Sequence, residues 1–123
     1  MKFCELRSIG AGQILCKEGD RSSEIYFIKE GALEIIKEIQ SAQVRLSKLN
    51  SGAMTGEMAF YTGNVRSATI RASENALVYV LNGASFKSLR SMHPLLASKF
   101  DIYVIKRLST SLMRANKFIS SLK

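Results

Sequence analysis

The feature that most constrains this 123-residue chain is a change of rhythm near residue 82. Before it, turn signals recur at Gly10-Ala11-Gly12, Glu18-Gly19-Asp20, Glu30-Gly31, Asn50-Ser51-Gly52 and Gly63-Asn64. Between them lie short runs rich in Ile, Val, Leu and aromatics, at 13–16, 24–29, 33–38, 44–49, 68–72 and 77–81. Short strands bounded this regularly predict an antiparallel sandwich or barrel. In the second run, Ile25, Phe27 and Lys29 take one face and Tyr26 and Ile28 the other, so both faces are partly apolar. In the fourth, Val44, Leu46 and the aliphatic stem of Lys48 share one face.

After Asn82 the period becomes helical. Residues 83–93 read as a short helix carrying Phe86, Leu89 and Arg90, closed before Pro94, whose ring disfavours helix at His93. Pro94 suits the first position of a new helix. From there Leu96, Phe100, Val104, Leu108, Leu112, Ala115, Ile119 and Leu122 recur at intervals of three and four. This predicts an amphipathic helix of up to about thirty residues, about 45 Å long. A small β domain cannot cover such a helix. Leu96, Phe100 and Val104 are expected against the β domain, and Leu112, Ile119 and Leu122 against a ligand or another subunit. The reading is of a single domain, its β part at about 6–82 and its helices at about 83–122.

Composition excludes more than it proposes. No 18-residue apolar run exists, so no membrane span is expected. The first residues, MKFCELRSIGAGQ, lack the apolar core of a secretory signal, and the expected location is the cytoplasm or the cytoplasmic side of a membrane protein. Cys4 and Cys16 are too few and too isolated for a disulfide framework or a zinc site, and are expected as half-buried thiols. The net charge is +8. Residues 1–93 hold 12 Lys/Arg against 9 Asp/Glu, whereas residues 94–123 hold 6 against 1. A basic C-terminal helix fits a solvated face or an acidic partner better than a nucleic-acid surface. No enzyme constellation is present: His93, the only histidine, sits at a helix boundary with no acid or nucleophile near it in sequence, and no P-loop motif occurs.

One stretch is unlike a loop: TGEMAFYTGNVRSATIRA, residues 55–72. Its GEMAFY run is expected to make a short helix starting at Gly56, whose first N–H groups favour an anion. Arg66 can add a bidentate set of donors and Ser67 a hydroxyl. Glu57 cannot hold an anion, but its carboxylate suits a sugar hydroxyl. Phosphate plus ribose describes a nucleotide, and a single cation suits a phosphodiester. The residues alone leave a second reading open, a loop closed by a Glu57–Arg66 salt bridge.

These residues resemble a known pattern. The cassette of the cyclic nucleotide-binding domain, shared by catabolite-activator-type regulators, protein kinase A regulatory subunits and cyclic-nucleotide-gated channels, reads roughly F-G-E-[LIM]-A-L-x-x-x-x-P-R-[SAT]-A-[TS]. Gly56, Glu57, Met58, Ala59 and Phe60, then Arg66, Ser67, Ala68 and Thr69, match it. The earlier stretch ILCKEGDRSSEIYFIKEGALEII carries Gly19 and Gly31 at that family's turns, and the similarity covers residues 6–123. The resemblance implies a mainly β fold, an antiparallel β-roll (jelly roll) followed by a short helix and a long C-terminal helix. It implies no catalysis, and a ligand, cAMP rather than cGMP, held by Gly56, Glu57, Met58, Ala59, Arg66, Ser67 and Ala68. Glu57 would take the ribose 2′-hydroxyl and Arg66 the cyclic phosphate, helped by Ser67 and by N–H groups of residues 57–59. Ser67 offers a hydroxyl that also serves a guanine amino group. Thr55 stands where the family has an aromatic, and Val65 where it has proline, which leaves the loop less rigid before binding.

The resemblance also lays the last helix over the base, with Ser109, Thr110, Ser111 and Asn116 as polar candidates and Thr110 and Ser111 preferred. It implies a regulatory domain that signals through that helix, a homodimer formed through it, and an effector outside this chain. No direct DNA binding is expected, because no helix-turn-helix fits before Lys123. The alternatives are a degenerate member that binds no nucleotide and serves as a dimerisation module, and an interaction module working through its basic helix.

Overall fold

The computed structural model of the chain describes residues 3–122. In order, its elements are β1 (Glu5–Ile9), β2 (Ile14–Cys16), β3 (Glu24–Glu30), β4 (Ala32–Ile39), β5 (Ala42–Asn50), β6 (Met54–Thr55), α1 (Glu57–Thr62), β7 (Thr69–Ala72), β8 (Ala76–Asn82), α2 (Gly83–Met92) and α3 (Pro94–Ser121). The strands pair antiparallel into two four-stranded sheets, ordered β1-β8-β3-β6 and β2-β7-β4-β5. Strands distant in sequence close the roll: Glu5 lies opposite Val80 and Cys16 opposite Ile70. This is the expected jelly roll.

Its core is built from both sheets. Tyr26 and Ile28 of β3 meet Leu33 of β4, Ile70 and Ala72 of β7, and Val78 and Val80 of β8, with Ile9 and Cys16 at the margins. Each large apolar side chain buried there contributes about 1.5–3 kcal/mol. Ile25 is also fully buried, so β3 carries apolar side chains on both faces, as its alternation predicts. The β3–β4 turn runs through Gly31 at φ +83°, where a Cβ would stand 2.2 Å from the Asn75 carbonyl oxygen. Only glycine fits.

The sequence reading needs correction at three places in the fold. β1 and β6 were not anticipated: ELRSI is too polar to stand out, and a two-residue strand has no period. β5 is an edge strand, and the face on which the sequence groups Val44 and Leu46 is exposed. A bulge contributes: Ile35 pairs with Ser47 and Ile36 with Arg45, leaving Leu46 without an opposite residue. The third correction lies in the last helix. Leu96 is exposed, and the buried residues of α3 are Ala97 and Val104, with Phe100 half-buried.

The chain divides into two compact units at Ser85/Phe86. In the first, the Asn82 side-chain oxygen accepts the Ser85 N–H at 2.8 Å and caps α2. In the second, the rings of Phe86 and Phe100 lie 5.7 Å apart, and Arg90 sits 4.9 Å over Phe86. Arg90 also donates to both Asp101 carboxylate oxygens, at 2.9 and 2.7 Å. Pro94 begins α3 after a non-helical His93, as the sequence predicts. Beyond Val104 no described residue of α3 is buried, and Leu112, Ile119 and Leu122 are exposed.

Candidate functional site

The stretch between β6 and β7 folds into a helix–loop cassette that bounds a cleft of about 240 Å³. Thr55, Gly56, Glu57, Met58 and Ala59 form one side, Thr62 to Ala68 (Gly63 excepted) the other, and Ile35 and Ile70 supply apolar surface. α1 begins after Gly56 at φ +93° and ends before Gly63 at φ +71°, whose N–H donates to the Ala59 carbonyl at 2.9 Å. The Thr62 hydroxyl donates to the Met58 carbonyl at 2.7 Å and accepts the Asn64 N–H at 3.2 Å, turning the chain into the descending arm.

Arg66 is the centre of this arrangement. It is 4% exposed, and each of its three nitrogens donates to a protein acceptor. Nε reaches the Ser22 hydroxyl at 3.0 Å, Nη1 the Gly56 carbonyl at 3.1 Å, and Nη2 the Glu24 carbonyl at 2.8 Å. The guanidinium lies 5.7 Å from the centre of the Tyr26 ring. Gly56 is required beside it, because a Cβ there would stand 2.8 Å from Nη1 and 2.5 Å from the Glu24 carbonyl oxygen. No ion pair involves Arg66 among the described residues. The loop closed by a Glu57–Arg66 salt bridge is therefore not what forms. A guanidinium carries five N–H groups. Three are held by neutral acceptors, leaving two and a buried positive charge whose desolvation has no ionic offset.

The descending arm is laced to the β2–β3 connection. The Gly19 N–H donates to the Arg66 carbonyl and the Arg66 N–H to the Asp20 carbonyl, each at 2.8 Å. Beneath Arg66, the Tyr26 hydroxyl donates to Glu24 Oε1 at 2.9 Å. Burial, reinforced by Glu24, pushes the Tyr26 hydroxyl well above its ordinary range. Burial likewise raises the Cys16 thiol.

Gly56, Glu57, Met58, Ala59, Arg66, Ser67 and Ala68, the candidates taken from the sequence, all line this cleft. Glu57 is half-buried, and Met58 is exposed at the rim. Thr110 and Ser111 do not line it. Their hydroxyls donate to the Lys106 and Arg107 carbonyls of their own helix, at 3.0 and 3.2 Å. Sequence reasoning missed Ser22, the Glu24 carbonyl and the apolar surface of Ile35 and Ile70. Ser22 lies in a polar turn with no pattern to mark it, and a backbone acceptor leaves no trace in a sequence.

A family model described as the cyclic nucleotide-binding domain matches residues 6–93. A cyclic nucleotide-gated potassium channel of Mesorhizobium japonicum is 31% identical over 101 residues, which is 82% of this chain and 27% of the channel. CRP, a cAMP-activated global transcriptional regulator of Escherichia coli O6:H1, is 25% identical over 113 residues, 90% of this chain and 54% of that protein. The chain thus spans about a quarter of one relative and half of the other. Among solved structures, a cyclic nucleotide-binding domain from Methylobacillus flagellatus aligns with a TM-score of 0.86 over 99% of this chain and 69% of that one, at 24% identity. The match along most of the roll, together with the cassette's glycine, carboxylate and arginine, leads to one conclusion: this chain belongs to the cyclic nucleotide-binding domain family.

Proposed function

We propose that this chain is a non-catalytic regulatory module that binds a cyclic nucleotide, cAMP in preference to cGMP, in the cleft between Gly56 and Ala68. The observation that carries the reading is the Arg66 guanidinium: a buried cation on neutral acceptors, in the wall of a cleft of about 240 Å³. A singly charged cyclic phosphate supplies the missing anion, taking the two remaining N–H groups of Arg66, the Ser67 hydroxyl and amides of the first turn of α1. Glu57, in the same cleft and with no ion pair among the described residues, accepts the ribose 2′-hydroxyl. The preference for cAMP draws on the regulator described as cAMP-activated among its relatives.

In this reading α3 carries the signal. Its outer turns present Leu112, Phe118, Ile119 and Leu122 to solvent, a surface suited to the base, to a second copy of the chain or to an effector in a larger protein. The module works in the cytoplasm or on the cytoplasmic side of a membrane protein such as a channel. No helix among the described residues is long and apolar enough to cross a membrane.

Calorimetry with cAMP and cGMP tests the proposal. Heat of binding with cAMP exceeding that with cGMP at equal concentration is expected, and no heat with either at millimolar concentration would sink it. One observation favours the alternative of a member that binds no nucleotide: every nitrogen of Arg66 already has a protein acceptor. That alternative gives partner binding through α3 that cyclic nucleotide leaves unchanged.

A further inference from the structure

The outer half of α3 is two-sided in charge as well as in apolar character. From Ile105 to Leu122 every residue is exposed, so both sides of the helix meet solvent. At about 100° per residue, Leu108, Leu112, Ala115, Ile119 and Leu122 fall within about 80° of one another. Lys106, Arg107, Arg114 and Lys117 fall within about 100°, centred on the opposite side. Two exposed apolar side chains mark the borders, Met113 next to Lys106 and Phe118 next to Arg107.

The charge has no answer within the chain. Asp101 is the last acid, and both of its carboxylate oxygens accept from Arg90. Residues 102–123 hold five Lys/Arg and no Asp or Glu. Lys106, Arg107, Arg114 and Lys117 make no ion pair among the described residues. A second copy of the helix would bring the same cations and no acid to meet them. An anionic membrane interface answers both sides at once: the apolar stripe enters the boundary between headgroups and acyl chains, and the cations stay among the headgroups. Lys106 and Arg107, at the borders, can lay their aliphatic stems along the apolar side and turn their charges outward. No helix among the described residues is long and apolar enough to cross a membrane, so α3 would lie along the surface.

We propose that α3 from Ile105 to Leu122 is a docking surface for an anionic lipid membrane, on which the helix lies with Leu112, Ile119 and Leu122 inward. No residue lining the cleft belongs to α3, so this surface goes beyond the cyclic nucleotide reading and stands without it.

The test uses the full chain and two vesicle populations, phosphatidylcholine alone and phosphatidylcholine with about 30% phosphatidylserine, near physiological ionic strength. Flotation gives the partition, and circular dichroism with thermal unfolding checks the fold. Binding to the anionic vesicles is expected to be about a hundredfold tighter than to the neutral ones, and to weaken as salt rises. Lys106→Gln and Arg114→Gln should each weaken it about fivefold, the size of one cation at an anionic surface. Leu112→Gln, which keeps helix propensity, should weaken it about tenfold, and Ile119→Gln serves in its place where the helix melts. The chain has no tryptophan, so Phe118→Trp supplies a single reporter, whose emission should move to the blue on anionic vesicles and not on neutral ones. Equal binding to both vesicles, binding to neither, or a loss with the charge variants but not with the apolar ones would each overturn the proposal. So would a dimer, seen by light scattering, whose Phe118→Trp emission anionic vesicles leave unchanged, or retention on duplex DNA that those vesicles do not displace.

Discussion

Nη2 of Arg66 donates to the backbone carbonyl of Glu24 at 2.8 Å, tying the cassette to the start of β3. The residue proposed to hold the phosphate is therefore also a brace of the roll itself. Arg66→Ala should lower folding stability by about 1–3 kcal/mol, because it orphans buried acceptors. It should also weaken cAMP by about 2–4 kcal/mol through the lost charge-assisted contact. Arg66→Lys keeps the charge but not the fork, and should fall between. Urea unfolding and calorimetry on the same samples separate the two effects. Equal affinity of the unsubstituted protein for cAMP and adenosine would show that no phosphate is read.

Glu57 is the complementary case. It lines the cleft, and no ion pair or side-chain hydrogen bond is made by its carboxylate among the described residues. Glu57→Gln should therefore leave stability within about 0.5 kcal/mol. Its effect should appear only on ligand, as a loss of affinity smaller than that of Arg66→Ala, because the amide keeps one acceptor. Unfolding midpoints beside binding isotherms distinguish the two residues.

Alkaline pH should unfold this roll early. Tyr26 is fully buried, and burial with Glu24 beside it raises its folded pKa above the unfolded value of about 10. The folded state then keeps a proton that the unfolded state releases, so the contribution is complete below about pH 10 and is lost as pH rises through the folded value. Cys16, raised by burial, acts in the same direction from about pH 8.5 upward. Urea midpoints measured from pH 8 to 11 should fall, and Tyr26→Phe should flatten the upper part of the curve.

Removal of the residues after Leu108 should cost the roll little. None of those described is buried, so the unfolding free energy should stay within about 0.5 kcal/mol. If α3 reports on the ligand, the shortened chain should bind cAMP more weakly, since coupling is reciprocal. Any dimer should also be lost. Calorimetry with light scattering reads both, and undiminished affinity in an unchanged oligomer would remove α3 from the mechanism.

Much of this was legible in the sequence, for stated reasons. The strands announced by β-branched runs between glycine turns appear within two residues of expectation, because Gly31 and its like are fixed by backbone geometry. The cassette was legible because glycine, carboxylate and arginine recur there in fixed order. What escaped was whatever depends on partners distant in the chain. Val44 and Leu46 lie on β5, the last strand of its sheet among the described residues, and their exposure is set by what covers that strand's faces, which no local alternation records. The bonds of Arg66 to Ser22, Gly56 and Glu24 likewise need the roll closed before they exist.

That closure has a consequence for how the chain is made. Among the described residues β1 pairs only with β8, Glu5 opposite Val80, so the first strand of the roll to be synthesised waits for the last. At about 5–20 residues per second, that wait is on the order of 4–15 s, during which Ile9 and the edge of β1 stay unmatched. Pairings this distant place the roll among slow folders, on a millisecond-to-second scale once the strands are all present. The polar ELRSI sequence that hid β1 from the reading of its period is then a safeguard: a strand that must remain alone for seconds attracts the wrong partner less when two of its five residues are charged.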